Sequence, residues 1–243
     1  MQITASIESK HFTIQKTSDF EGWSVPWEVA GYRDDFTFSQ KLGGSFDLSF
    51  LSCITLTGPD AKDFLQRMTT VEFKKTQTGS IRYGAFLTGK GTIVGLGTFV
   101  VTEKDFEFWV TPSQTAQVLE HIEKFHFAEK FEAKEDKDWA LIGLWNPSPG
   151  LCDEFQMKSD FPIHQLEWRR WRSMDCDLWR DSMRKSLYFV RVRRSQCPHY
   201  LEHLNEVTVP LLGQKLFEYF RMQAGVPQVG PEANDHTIIL ETG

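Results

Sequence analysis

The sequence predicts an α+β fold, and three observations support this prediction. Apolar residues alternate at Ile54 and Leu56 and along 106–110, as they do in half-buried strands. Apolar residues recur at helical spacing in 61–68 and 118–125. The connections are short, so the order strand, helix, three strands, helix over 46–126 favours an antiparallel sheet with helices packed on it.

The stretch 43–99 carries the clearest boundaries between elements. Gly58-Pro59-Asp60 ends a strand and starts a helix. A proline in the first turn loses no helical hydrogen bond, and Asp60 places a negative charge at the positive end of the helix. Gly89-Lys90-Gly91 lacks the spacing of a phosphate-binding loop, so we expect a hairpin turn there.

The flanking segments are predicted from weaker patterns. Residues 1–42 are expected to be an arm whose aromatic side chains pack on the main body, with a short strand at 12–14. Thr111 and Gln114 have the spacing of a capping box at the start of the second helix. The charged segment 124–138 is expected to link the first unit to a second one.

The second half has the same mixture of strands and helices. We predict strands at 139–145, 163–171 and 187–193. A last helix carries Leu216 and Phe220 on its apolar face and is ended by Gly225 and Pro227.

Composition restricts the classes of partner and the location. The net charge of −6 argues against nucleic acid as a partner of the whole chain. The four cysteines are scattered without a paired motif, as expected of reduced thiols. No stretch resembles a signal peptide or approaches the ~20 apolar residues of a membrane span, so a cytoplasmic protein without membrane contact is expected.

Two motifs invite a functional interpretation. His199, Glu202 and His203 match the H-x-x-E-H pattern of zinc peptidases, but a third ligand is not apparent, so we favour a solvated helix face and no metal site. The second motif is the Arg/Trp segment, 168–194, which is rich in arginine and tryptophan. It is either a positive surface for an acidic partner or a set of strands with charged outer faces.

Two further stretches carry a family resemblance. The first contains Phe46-Asp47-Leu48-Ser49, Gly58-Pro59-Asp60-Ala61 and Arg82-Tyr83. The second is 220–227 (FRMQAGVP), followed by Glu232 and, at 241–243, ETG. In this order, about 150 residues apart, they resemble the folate-binding family that includes the glycine-cleavage T-protein (aminomethyltransferase) and the YgfZ proteins.

The resemblance implies a fold and a division of the chain. It implies two linked α+β subdomains around a central cleft that holds tetrahydrofolate, the first over about 43–127 and the second over about 128–243, and it leaves open whether the two subdomains interleave. The family's C-terminal barrel and the YgfZ motif K-G-C-Y-x-G-Q-E would follow Gly243, and both are expected to be absent from this sequence.

The resemblance also implies site residues. Gln223 and Arg221 are expected near the pterin, Tyr83 and Asp47 on the cavity wall, and Arg191 or Arg193 near the glutamate tail. No catalytic residue is assigned. The transferases of the family carry two carboxylates where this chain has Gly95 and Leu96, and neither of these residues can transfer a proton.

The resulting hypothesis is a YgfZ-like protein that binds tetrahydrofolate and assists iron–sulfur cluster assembly or repair, with iron–sulfur proteins as its partners. One alternative is a folate-dependent one-carbon transferase of the aminomethyltransferase kind. The other is a non-catalytic binding module that uses the Arg/Trp segment.

Overall fold

The computed structural model describes residues 2–157, 165–171, 174–181, 183–230, 232–233 and 236–237. Ile163, Arg172 and residues 241–243, which enter the predictions above, lie outside this part of the chain. The strands are β1 Gln2–Ile3, β2 Lys16–Phe20, β3 Trp23–Glu28, β4 Gly44–Asp47, β5 Ser52–Thr57, β6 Ile81–Leu87, β7 Ile93–Val101, β8 Asp105–Val110, β9 Glu132–Asp136, β10 Trp139–Trp145, β11 Glu167–Trp171, β12 Met174–Arg180 and β13 Leu187–Arg193.

Five α-helices of the described residues lie between these strands in the sequence, and two follow the last strand. They are α1 Ala5–Ser9, α2 Tyr32–Lys41, α3 Ala61–Met68, α4 Pro112–Phe125, α5 Pro149–Glu154, α6 Cys197–Glu206 and α7 Gln214–Gln223. Short 3-10 turns occur at Phe73–Lys75 and Arg194–Gln196. The mixture of helices and mostly antiparallel sheets confirms the predicted α+β class.

The chain divides into two compact units. Unit 1 comprises Met1–Phe50 and Asp138–Ala224, and unit 2 comprises Leu51–Lys137 and Gly225–Gly243. The chain therefore enters unit 2 after Phe50, returns to unit 1 at Asp138 and leaves it again after Ala224.

These boundaries differ from the predicted segments 1–42, 43–127 and 128–243. Residues 1–42 form three strands and two helices of unit 1, where the sequence predicted an irregular arm. The stretch 43–99 is also divided, since β4 belongs to a sheet of unit 1 and β5 to the sheet of unit 2. Sequence spacing does not reveal which sheet a strand joins.

The larger sheet of unit 1 has the strand order β11-β12-β13-β10-β4, and every neighbouring pair is antiparallel. One face packs on α6, where Tyr200 and Leu201 join Ile142 and Val190 in a buried cluster. Helix α7 packs on the opposite face of the sheet, near β4. There the Phe220 ring stacks on Trp145, with centroids 3.8 Å apart, and the Phe217 ring meets Phe46 edge-on at 5.2 Å.

The smaller sheet of unit 1 has the order β1-β3-β2. It is joined to α7 by the buried carboxylate of Asp35 in α2. One oxygen of Asp35 accepts the backbone N–H of Ala30 at 2.9 Å, and the other accepts those of Val29 at 3.0 Å and Gly213 at 3.3 Å. Because Gly213 caps the start of α7, this carboxylate fixes α7 to the β3–α2 connection.

Unit 2 contains one sheet, β6-β7-β8-β5-β9, with α3 and α4 packed in its main core. Phenylalanines dominate that core. Phe99 and Phe108 stack with centroids 4.1 Å apart, and Phe86 lies 5.3 Å from Phe108. Each buried ring contributes about 1.5–3 kcal/mol of transfer free energy to the stability of the unit.

Three local predictions were wrong. Residues 12–14 form no strand, and the supposed link 124–138 contains β9, which pairs with β5. The capping box is not made, since the Thr111 side chain caps no helical N–H. Gln114 turns toward the sheet instead, where its Oε1 accepts the N–H of Leu96 at 2.7 Å and its Nε2 donates to the Thr111 hydroxyl at 3.1 Å.

His121 in α4 is a buried histidine in an aromatic environment. Its ring lies 4.8 Å from Phe125 and 6.4 Å from Phe86, centroid to centroid, and its Nε2 has no hydrogen-bond partner in the described part of the chain. Burial, reinforced by the charge of Lys124, lowers the pKa of His121 below its usual 6.5, although a backbone hydrogen bond with Leu87 opposes the shift.

We predict that His121 makes the protein less stable in acid. The unfolded chain takes up the proton more readily than the folded chain, so the free energy of unfolding is preserved above pH 6.5 and falls as the pH drops below it. His121→Phe should flatten this decline in urea unfolding measured between pH 7.5 and about 5. An unchanged decline in the variant would show that other groups cause the acid sensitivity.

Candidate functional site

Arg191 and Arg193 lie on one face of the larger sheet of unit 1, around Trp139. The register places Trp139 opposite Arg193, and both guanidinium carbons lie 4.0 Å from the centroid of the Trp139 ring. At this distance, each cation is attracted by the electron-rich face of the indole. The structure thus brings together two of the predicted site residues and adds an aromatic residue that the prediction did not include.

The two arginines differ in how far their charge is compensated. Arg191 is buried and forms an ion pair with Asp177, whose Oδ2 lies 2.8 Å from Nη2 and 2.9 Å from Nε. Arg193 is exposed, and its Nη1 lies 3.9 Å from the carboxylate of Asp138. An exposed pair at this distance is weak, so Arg193 offers the more available positive charge to an anionic ligand.

The last turn of α7 carries Arg221 and Gln223. Arg221 is buried, and its Nε donates to the Glu218 carboxylate at 2.8 Å. Gln223 is the final residue of the helix and is exposed. The helix ends as predicted, because Gly225 takes a positive φ of 70° that side chains disfavour. The amide of Gln223 is therefore available to a ligand, whereas Arg221 is bound within the helix.

Asp47 lies on the other face of the same sheet. It pairs with Ile142, which also pairs with Val190, so all three side chains point toward α6 and away from Arg191. Its carboxylate accepts the N–H of Ser6 at 2.6 Å and that of Ser49 at 3.0 Å. Asp47 thus holds the first turn of α1, and the structure does not place it beside the arginines.

Tyr83 belongs to unit 2, on β6. It is half-buried and packs against a small apolar cluster that contains Ala85, Ile93, Leu96 and Ala233. This cluster holds Leu96 with only 6% of its surface exposed. Leu96 is therefore a core residue of unit 2.

Gly95, the neighbouring position, leaves no room for a side chain. A Cβ atom built there would lie 2.4 Å from Cγ2 of Val118 in α4 and 3.4 Å from Cε1 of Phe108. Val118 is β-branched and held in one rotamer by its helix, so it cannot move aside cheaply. A carboxylate at this position would require α4 to shift.

Four arginines of the Arg/Trp segment form ion pairs with acidic residues of the same segment or next to it. The ion pairs are Arg169–Glu167, Arg170–Asp175 at 3.5 Å, Arg184–Asp181 at 2.8 Å and Arg191–Asp177 at 2.8 Å. These pairs lie within β11–β13 and the adjoining turn, as expected of strands with charged faces. This pairing weakens the alternative of a positive docking surface.

The histidines of the H-x-x-E-H motif are also paired with carboxylates. Nδ1 of His199 lies 3.5 Å from Glu202, and Nδ1 of His203 lies 3.0 Å from Glu206. Over the described ranges of the chain, no group of three or more potential ligands is arranged to hold a metal ion.

The four cysteines form no disulfide, and two buried ones are poorly suited to nucleophilic chemistry. The four are Cys53, Cys152, Cys176 and Cys197. Burial raises the pKa of the Cys176 thiol to about 11 and that of Cys197 well above its usual value. Because the thiolate is the reactive form, neither thiol is activated.

Trp139 is the site residue that sequence reasoning missed. The chain shows only a tryptophan at the start of an apolar strand, and the arginines follow some fifty positions later. The strand register that brings them together is a property of the folded sheet. In the described part of the chain, no helix has both the length and the apolar character of a membrane span.

The fold is similar to that of a solved transferase. The crystal structure of glycine cleavage system aminomethyltransferase T from Bartonella henselae matches 97% of this chain and 66% of its own chain, with a TM-score of 0.84 and 17% identity. At that identity, the likeness establishes the fold alone.

Curated relatives with recognisable sequence similarity are named aminomethyltransferase. The relative from Rubrobacter xylanophilus is 24% identical over 232 residues, which is 93% of this chain and 62% of that protein. The relative from Listeria monocytogenes serotype 4a is 31% identical over 135 residues, which is 55% of this chain and 37% of that protein. The chain thus spans less than two thirds of the length of these relatives.

The family model described as the GCVT N-terminal domain matches residues 14–243, nearly the whole chain. This protein therefore belongs to the GCVT N-terminal domain family.

Proposed function

We propose that this protein binds tetrahydrofolate in the cytoplasm and assists iron–sulfur cluster assembly or repair, in the manner of the YgfZ proteins, without catalysing aminomethyl transfer. Membership of the folate-binding family supports the ligand. The packing of Gly95 and Leu96 supports the absence of transfer chemistry.

The packing of β7 is the observation on which the distinction from the transferases rests. A group that steers protonation of an amine or a folate nitrogen must be ionisable and must reach the reacting atom. Leu96 is buried in an apolar cluster, and Gly95 lies against α4. Neither position can supply such a group, whatever ligand is bound.

The proposed folate contacts follow from exposure and charge. Gln223 ends α7 with an exposed amide that can both donate and accept hydrogen bonds at the edge of a pterin. It lacks the negative charge of the family's glutamate, so we expect weaker binding than in the transferases. Arg193, held over Trp139, is the candidate partner of the glutamate tail.

The names of the curated relatives favour the alternative, a folate-dependent aminomethyltransferase. That activity would need a proton-transferring group from elsewhere than Gly95 and Leu96. We therefore rank folate binding with an assembly role above one-carbon transfer.

Calorimetric titration with tetrahydrofolate tests the ligand. We expect saturable binding to the wild type and about fivefold weaker binding to Gln223→Ala, since a neutral hydrogen-bonding group contributes ~1 kcal/mol. Gln40→Ala, the same change at an exposed helix end, is the matched control and should bind as the wild type does. Binding by the wild type no tighter than by Gln223→Ala would contradict the proposed pterin contact.

The tri-glutamate form of tetrahydrofolate tests the contact with the tail in the same experiment. Arg193→Gln should weaken binding of the tri-glutamate form about threefold and leave binding of the mono-glutamate form unchanged, as expected for the loss of an exposed ion pair. An equal loss of binding affinity for both forms would show that Arg193 does not contact the glutamate tail.

A genetic measurement tests the proposed assembly role. Deleting the gene should lower the specific activity of iron–sulfur enzymes but not that of cluster-free enzymes. The wild-type gene and Gln40→Ala should restore the activity, and Gln223→Ala should restore less of it because the variant binds folate more weakly. Undiminished iron–sulfur enzyme activity in the deletion strain would refute the role.

A further inference from the structure

Unit 1 contains a cavity whose walls include none of the proposed folate contacts. It has a volume of about 370 Å³ and lies among β1, α1, the start of β3, the segment after β4 and the 3-10 turn after β13. Its walls include Gln2, Ile3, Glu8, Trp23, Ser49 and Arg194. Its volume falls at the lower end of the roughly 300–1,000 Å³ typical of small-molecule sites.

Arg194 places a fixed positive charge in the cavity wall. Its Nη1 donates to the backbone oxygen of Ser49 at 2.6 Å, and its Nη2 donates to that of Trp139 at 3.0 Å. The guanidinium carbon lies 5.7 Å from the centroid of the Trp23 ring. The two carbonyls orient the side chain, and a guanidinium held in this way suits a carboxylate ligand.

A negative charge and an apolar surface complete the wall. Glu8 in α1 is exposed and contributes a carboxylate. Ile3 is 46% exposed, which is high for an isoleucine, and it lines the cavity together with Trp23. The cavity therefore offers a cation, an anion and an apolar surface to one small ligand.

We propose that this cavity binds a small zwitterion, an α-amino acid with an apolar side chain. Its carboxylate pairs with Arg194, its ammonium group pairs with Glu8, and its side chain packs on Ile3 and Trp23. A simple anion would be repelled by Glu8, and a simple amine would be repelled by Arg194. The proposal is independent of folate binding, because none of these residues belongs to the proposed folate contacts.

NMR titration of the full chain with L-leucine tests the proposal. The indole N–H resonance of Trp23, assigned with Trp23→Phe, should shift in a saturable way. Isocaproate, which lacks the ammonium group, and isoamylamine, which lacks the carboxylate, should each bind about fivefold more weakly, as expected for the loss of one partly exposed ion pair. Equal binding of all three compounds, or no shift of the Trp23 resonance, would overturn the proposal.

Variants separate the two charges. Glu8→Gln should weaken the binding of L-leucine about fivefold, and isoamylamine should bind to this variant no more tightly than L-leucine does. Glu103→Gln makes the same change at an exposed position outside the cavity and should have no effect on binding. Arg194→Gln should weaken L-leucine further, but this variant also loses the bonds to Ser49 and Trp139. Glu8→Gln is therefore the decisive variant, and unchanged L-leucine binding in it would contradict the proposal.

Discussion

The buried carboxylate of Asp35 is the interaction on which unit 1 depends. It accepts three backbone N–H groups, two from the β3–α2 connection and one from Gly213, which lies 178 positions later in the sequence. Hydrogen bonds to a charged group contribute about 1.5–3 kcal/mol each, so the two ends of unit 1 are strongly joined at this point. A Cβ on Gly213 would lie 2.4 Å from the backbone oxygen of Trp27 and 2.9 Å from the same carboxylate, which explains the glycine. The position of α7, and with it the exposed amide of Gln223, follows from this contact.

A second constraint governs what unit 2 can do. At Gly95 the sheet approaches α4 so closely that a Cβ would lie 2.4 Å from Val118, and Gln114 of α4 accepts the N–H of Leu96 at 2.7 Å. Strand β7 is thus fixed to α4 by packing and one hydrogen bond. The proposed absence of transfer chemistry therefore rests on the same packing of Gly95 and Leu96 that stabilises unit 2.

Local signals in the sequence predicted much of the fold and little of the site. The turn before α3, the end of α7 and strands such as Trp139–Trp145 and Leu187–Arg193 were predictable because punctuation and periodicity act over a few residues. The division after Phe50 and the pairing of β9 with β5 depend on contacts far apart in sequence, which periodicity does not encode. Contacts between residues far apart in sequence also determine which side chains meet at the candidate site. Asp47 and Arg193 were proposed for one cavity, yet the sheet register puts their side chains on opposite faces, and it puts Trp139 beside both arginines.

We propose that this chain keeps the fold of its family without aminomethyl-transfer chemistry. A single-turnover measurement with a labelled aminomethyl donor and saturating tetrahydrofolate tests this, because the one-carbon unit appearing on the folate can be followed over time. We expect tetrahydrofolate to be retained by the protein and label to appear no faster than in a protein-free control. Transfer at a rate well above that control would contradict the proposal.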